Sequence, residues 1–562
     1  MLKNTYGPTL SISEEIDAQK YRQTGEDFNS KVVRIANALK DSPEHFEDFK
    51  DCLRDMRFIP AGRVQNAMGA SRKTTAYNCF VSGTIDDSME SIMKRATEAA
   101  ETMRKGGGIG YDFSNIRPRG DRIISLDSQA SGPVSFMRIF DAICQTIASS
   151  GHRRGAQMGI LRIDHPDIEQ FITAKNDGQS LTGFNVSIGV TNAFMSCLEN
   201  GWQFPLKFQG ETYKYVDPKA LWDMIMRSTW DWAEPGVIFI DTINIMNNLN
   251  YIEEIAATNP CGEQPLPPYG ACLLGSFNLV KYVTNGEFDF EQFTQDIPVV
   301  VRAMDNVIDR TIYPLQEQKI EAINKRRMGL GITGLANAGE MIGLPYASPE
   351  FMEFAEKVLA TLRDNTYSAS ADLADEKGTF PLFDFDHYTL SPFIQSLPPW
   401  LQAKIYQKGL RNSHLTSIAP TGTISLVADN VSSGIEPPFA LYYDRTITQF
   451  DGTQVERVED YAYQQGVSGR TADEISAADH LKVLALSTKY VDSAVSKTCN
   501  VGDDVTYEEF KNLYFDAWKL GCKGITTFRA AGKRYGVLNK PSEEDNAEAC
   551  FIDPETGTRS CE

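Results

Sequence analysis

Between Asn259 and Gly270 the chain places four prolines, at 260, 265, 267 and 268, and two glycines, at 262 and 270. Proline lacks an N–H and fixes φ, so neither a long helix nor a central strand can run through this stretch. It has to be a loop. It nevertheless carries an amide, a thiol and a carboxylate close together, at Asn259, Cys261 and Glu263. Two readings fit those residues alone. One is a surface turn with a chance cysteine. The other is a loop presenting a radical or nucleophilic thiol beside an acid–base group.

Around this loop the chain reads as globular. Its 562 residues are 42% hydrophobic and 23% charged, enough for a large core and too apolar for disorder. Residues 1–75 read as a short, polar helical region, with segments around Phe28–Leu39 and Phe46–Met56. From about 76 to 534 strand-like runs such as 186–190 and 237–240 alternate with helical patterns, which predicts an α/β fold. Met89, Ile92, Met93, Ala96, Ala100 and Met103 follow helical spacing and predict a helix over 86–105, with Asp87 and Glu90 as a capping box. Residues 535–562 read as a flexible, acidic tail ending in Cys550 and Cys561.

Composition excludes some partners. A net charge of −20 argues against nucleic-acid binding through a basic surface. No apolar run is long enough to span a membrane, and no secretory signal is visible, so a cytoplasmic location is expected. The ten cysteines there should be mostly reduced, and no C-x-x-C or H-E-x-x-H spacing suggests a metal site.

Three further segments invite chemistry. Cys79, in Asn78-Cys79, and Cys272 are either packed core thiols or partners of the loop thiol. Ala419-Pro420-Thr421-Gly422-Thr423-Ile424-Ser425 follows an apolar run, and its small residues suit backbone N–H groups that cradle phosphate; an ordinary turn capped by threonine fits as well. Two glycine runs stand at 106–110 and 329–334. The second matches G-x-G-x-x-G but lacks a preceding strand, so close helix packing is expected there rather than a dinucleotide site.

Taken together, these segments resemble a ribonucleotide reductase catalytic chain. The resemblance rests on Asn78-Cys79, the glycines at 106–110, Ser131-Gly132-Pro133, Arg153-Arg154-Gly155-Ala156, Asn259-Pro260-Cys261-Gly262-Glu263, Cys272, Pro420-Thr421-Gly422-Thr423 and a terminal cysteine pair, in that order. It implies a ten-stranded α/β barrel of two antiparallel five-stranded half-sheets, with a finger loop near 259–272 through its centre. It further implies Cys261 as the thiyl residue, Glu263 as base on the ribose 3′-OH and Asn259 as a ribose contact. Cys79 and Cys272 would be the thiols that donate the reducing electrons and end as a disulfide. Asn78, Gly108 and the backbone of Pro420–Ile424 would hold the substrate. Asp86 and Arg117 would hold a dNTP or ATP effector, with Arg153 and Arg154 linking effector to substrate. Cys550 and Cys561 would relay electrons from a thioredoxin-like reductant. A homodimer is implied, and an ATP-cone is not. Arg63 stands where many relatives place a phosphate-contacting threonine.

The radical source is read from what the late region contains. The Tyr442-Tyr443 pair lies far from the end of the chain, and Gly521-Cys522-Lys523-Gly524-Ile525-Thr526 resembles class II chains, which use adenosylcobalamin. No D-x-H-x-x-G surrounds a histidine, so the cofactor would bind without a protein histidine as lower ligand. An oxygen-dependent large subunit with a separate radical-generating partner, and a catalytically silent nucleotide-binding regulator, are the alternatives.

Overall fold

Parallel strands are covered on both faces and therefore carry few polar side chains. The strands Gly236–Phe239 and Gly329–Thr333, buried at every position, follow that rule. A computed structural model describes residues 6–124, 126–147, 156–449, 452–502, 505–529, 532–533, 551–552 and 559–560. In chain order its main strands are β1 (Phe58–Pro60), β2 (Cys79–Val81), β3 (Gly108–Asp112), β4 (Gln157–Arg162), β5 (Phe184–Val190) and β6 (Gly236–Phe239). They continue with β7 (Ala271–Cys272), β8 (Leu274–Asn278), β9 (Gly329–Thr333), β10 (Thr498–Val501) and β11 (Gly524–Arg529). The architecture is α/β, with a large mixed sheet in the order β7-β2-β3-β4-β5-β6-β11-β10 and a second sheet in the order β1-β8-β9.

Strands β2 to β6 are mutually parallel, and β10 is parallel to β11. The two groups meet through the antiparallel pair β6 with β11, and β7 pairs antiparallel with β2 at the far edge. In the second sheet β8 and β9 are parallel. Parallel bridges run on from β9 at Leu330 to Thr416, and from Ile418 to Val495. Only Leu273 separates β7 from β8, so one chain segment serves both sheets.

Helices cover the outside. Those at Phe28–Leu39 and Pro43–Arg54 are capped by Asp27 and Ser42, whose side chains accept from Ser30 N and His45 N. They share a hydrophobic core with the long helices Phe290–Arg310 and Pro349–Lys377. A smaller cluster lies between the sheets and the Pro/Gly loop and includes Val81, Met158, Ile160, Ala257, Leu266, Cys272 and Ala419.

Two local expectations are corrected. The predicted 86–105 helix begins at Met89, with Ser88 Oγ as its cap. Asp87 is unavailable for capping because its carboxylate accepts from Arg117 N at 3.1 Å and Nε at 2.7 Å. The glycines at 329–333 form strand β9 and do not mediate helix packing. A Cβ on Gly331 would stand 2.2 Å from Ser417 O, and one on Gly329 would stand 2.2 Å from Gln264 Nε2. The alternating glycines thus make room for neighbouring chain on one face of a buried strand.

The same logic fixes the Pro/Gly loop against β3. A Cβ on Gly110 would meet Thr258 O at 1.8 Å, far inside contact distance. Gly110→Ala is therefore expected to destabilise the fold by about 3 kcal/mol, the upper part of the range for overpacking. Gly422→Ala, where no atom lies within 4 Å of the new methyl, should change stability by less than about 0.5 kcal/mol. Urea denaturation measures both, and an unaltered midpoint for Gly110→Ala would contradict the close approach.

Candidate active site

The loop from Thr258 to Gly270 is closed at its base by a short antiparallel pairing of Ala257–Thr258 with Pro265–Leu266, and its tip is built by individual hydrogen bonds. Asn259 N donates to Gln264 O at 3.1 Å, and Gln264 N donates to Asn259 Oδ1 at 2.9 Å. Gly262, with φ of 81°, makes the reversal between them. Asn185 Nδ2 anchors the tip by donating to Pro260 O at 3.0 Å. Glu263 O is held from the opposite wall by Ala494 N at 3.0 Å and Ser417 Oγ at 2.8 Å.

This closure sorts the functional side chains by exposure. Cys261 is exposed at the tip, whereas Asn259 and Glu263 are 0% and 2% exposed. Burial pushes the Glu263 carboxyl up to about 7. The Asn259 amide leans toward it and offsets part of the rise. Even so, Asn259 Nδ2 and Glu263 Oε2 have no hydrogen-bond partner among the described residues, and neither do Asn78 Oδ1 and Gln264 Nε2. Buried polar atoms are rarely left unpaired in a resting fold, so this cluster is suited to receive a polar ligand.

Cys79 and Cys272 face each other directly across the antiparallel β2–β7 pair. Residues opposed in this way have Cα atoms about 4.5–5.5 Å apart, within the range a disulfide can bridge. Both are free thiols. Cys272 is fully buried, and burial pushes its thiol well up, with Cys79, Glu263 and Cys261 adding to the rise. Gly108 is paired with Cys79 across β2–β3, and a Cβ there would stand 3.5 Å from Cys79 Sγ and 3.1 Å from Pro260 Cγ. Glycine at 108 leaves that approach to the thiols open.

The 419–425 segment follows the chain that holds Glu263. It leads from Ser417 through Ile418 to the short helix Gly422–Val427. Thr421 is left-handed, with φ of 57°, an unusual conformation for a β-branched residue. Its hydroxyl is bonded to Thr333 Oγ1 at 2.9 Å and Ser425 Oγ at 2.8 Å, and it accepts from Gly434 N at 2.7 Å. Pro420 and Gly422 are exposed, Thr423 is half-buried, and Thr421 and Ile424 are buried.

Asp86 and Arg117 stand together at the start of the Met89–Arg104 helix. Asp86 is exposed and exchanges hydrogen bonds with Ser91. Arg117 is engaged by Asp87, the next residue along. Arg63 lies over the glycine turn, where a Cβ on Gly106 would meet its guanidinium at 2.5 Å. Arg153, Arg154, Cys550 and Cys561 lie outside the described residues.

Residues 77–528 match the family described as "Ribonucleotide reductase, barrel domain". The chain belongs to the ribonucleotide reductase family. It is 37% identical over 524 residues to the vitamin B12-dependent ribonucleoside-diphosphate reductase of Mycobacterium tuberculosis (strain CDC 1551 / Oshkosh), covering 88% of this chain and 73% of that protein. The protein of that name from Thermoplasma acidophilum is 36% identical, over 89% of this chain and 68% of its own length. A vitamin B12-dependent ribonucleotide reductase of Streptomyces clavuligerus is 29% identical, over 83% and 58%.

Some residues of this reductase's candidate site escaped the sequence reading. Gln264, Ser417 and Asn185 bond or crowd the loop and Thr333 bonds Thr421, but each is a common polar residue with no local signature. Gly329 and Gly331 carried a usable signal. Alternate glycines in a buried apolar run mark one crowded strand face, and that face is where Gln264 and Ser417 lie.

Proposed function

We propose that the chain reduces ribonucleotides to 2′-deoxyribonucleotides by a thiyl-radical mechanism initiated with adenosylcobalamin. The observation that carries this reading is the placement of an exposed Cys261 beside a buried, high-pKa Glu263 and a directly opposed thiol pair, Cys79 and Cys272. The vitamin B12-dependent names of the relatives support the choice of radical source. So does the loop tip: Cys261 is open, and no atom lies within 4 Å of the position a Cβ on Gly262 would take, so there is room for a bulky group against the thiol. Bound there, adenosylcobalamin would supply a carbon-centred radical, and Cys261 would be the residue that gives up its thiol hydrogen.

The chain's own residues account for the remaining chemistry. Cys261, as thiyl, takes the hydrogen from ribose C3′. Glu263 takes the 3′-OH proton, and Asn259 Nδ2 and Asn78 Oδ1 fix the ribose hydroxyls. One thiol of the Cys79–Cys272 pair protonates the departing 2′-OH, which leaves as water. The other thiol of the pair supplies the hydrogen that replaces the hydroxyl at C2′, so the pair gives up two electrons and becomes a disulfide; Glu263 returns its proton to the 3′ oxygen, and Cys261 returns its hydrogen to C3′. Burial keeps water from Glu263 and Cys272 themselves.

Other parts of the proposal extend outward from this site. Substrate phosphates sit on the backbone of Pro420–Ile424, whose Gly422 is open. A dNTP or ATP effector binds near Asp86 and Arg117 and acts through Arg153 and Arg154. The tail thiols Cys550 and Cys561 exchange with the active-site disulfide and with a thioredoxin-like reductant. The active form is a homodimer. Residues 76–534 form the catalytic unit, between the helical region 1–75 and the tail 535–562. Its strands close into ten, β2 to β6 in one half-sheet and β7/β8, β9, 415–418, 493–501 and β11 in the other; the bridges at Leu330–Thr416 and Ile418–Val495 support that closure.

Anaerobic incubation of the purified chain with dithiothreitol, a matched dNTP and each ribonucleoside di- or triphosphate tests the reading. Deoxynucleotide product is expected with adenosylcobalamin and not without it. Nucleotide binding with no product under any of these conditions would overturn it.

A further inference from the structure

Lys523, just before β11, is only 4% exposed and makes no ion pair within 4.0 Å among the described residues. Its ammonium instead collects main-chain carbonyls. Nζ donates to Asp492 O at 2.7 Å, to Ser493 O at closer range and to Val491 O at 3.4 Å. The charged groups it faces are Asp492, which favours the ammonium, and His414, which is held neutral partly by it. A buried cation is costly unless each proton has an acceptor, so a lysine in this position has a specific arrangement to maintain.

That arrangement leads to the active-site loop. Ser493 O, which accepts from Lys523, and Ala494 N, which donates to Glu263 O at 3.0 Å, are the two ends of a single peptide unit. The peptide is planar, so fixing its oxygen also aims its N–H. The rest of the turn is equally constrained. The Asp492 carboxylate accepts from Leu415 N at 2.6 Å, Thr416 N at 3.0 Å and Tyr367 OH at 2.7 Å. Ser417, one residue beyond Thr416, gives Glu263 O its second donor.

We infer that Lys523 is a positioning residue for the Glu263 carboxylate, acting through the Ser493–Ala494 peptide. This rests on the proposed role of Glu263 as base. It goes beyond that role by giving the late Cys522-Lys523-Gly524 run a task inside the active site. Lys523 touches no reacting atom. Its part is to hold the wall against which the base is braced and to keep water from the carboxylate.

Lys523→Met keeps length and removes the donors. In the full chain it is expected to lower kcat by about 10- to 100-fold, the loss typical of a small misplacement of a reacting group, with KM changed by less than about 3-fold. Because a loosened Glu263 becomes hydrated, the acid limb of the pH profile should move down by about 1 pH unit. Parental kcat, or reduced kcat with an unmoved acid limb, would overturn the inference, since general destabilisation does not shift that limb. If Lys523→Met yields no folded protein, Lys523→Gln decides, as it retains a donor: a smaller change of the same kind supports the inference, and parental values overturn it. A parental chain that forms no product defeats the reductase reading instead, so the two failures are distinguishable.

Discussion

Cys261→Ser is expected to abolish ribonucleotide reduction, with turnover falling by at least about 10⁴-fold, more than 5 kcal/mol of lost transition-state stabilisation. The O–H bond is too strong for a serine to relay a hydrogen atom as a thiol does. The same variant should bind nucleotide normally, because the residues proposed to fix the ribose and hold the phosphates are other ones. Its stability should also be close to parental, since Cys261 is exposed and packs little surface. Binding by calorimetry and product by chromatography separate these outcomes. Turnover above about 1% of parental would remove Cys261 from the proposed chemistry.

Glu263→Gln should have the second-largest effect, and pH gives it a signature. The carboxylate acts as base only when ionised, and burial raises its pKa to about 7. Parental kcat/KM should therefore rise with pH through about 7 and level off above it. Glutamine is neutral throughout, so the variant should lose that limb and about 10²–10⁴ in rate. The same shift bears on stability. The folded-state value lies above the ordinary carboxylate value of 4.5, so the folded protein binds this proton more tightly than the unfolded chain. The stabilisation is complete below about 4.5 and is lost as pH rises through about 7. Glu263→Gln removes that loss and should be more stable than the parental protein above pH 7, by up to about 3 kcal/mol. Denaturation at pH 5 and pH 8 reads the difference. A parental acid limb that survives the substitution would assign it to another group.

Much of this was legible in residue order because the decisive constraints are local. Four prolines force a loop at 259–270 whatever surrounds it, and the loop's thiol, amide and carboxylate are therefore displayed together. The strands at 186–190 and 237–239 could be read from β-branched runs, although Ile240 starts a helix, and the helix at Phe28–Leu39 from its helical pattern. The Asp87 cap failed for a non-local reason: Arg117, thirty residues on, occupies that carboxylate. The glycines at 329 and 331 misled for the same kind of reason, since what they accommodate comes from residues 264 and 417.

The residue types needed for the chemistry are thus written in short segments, where proline, glycine and thiol carry their properties with them. Tertiary structure alone decides which segments meet. It sets Cys79 opposite Cys272, brings Ala494 and Ser417 to Glu263 O, and excludes solvent from that carboxyl. Pairing between strands and desolvation depend on chain brought together from distant positions, so no local pattern encodes them.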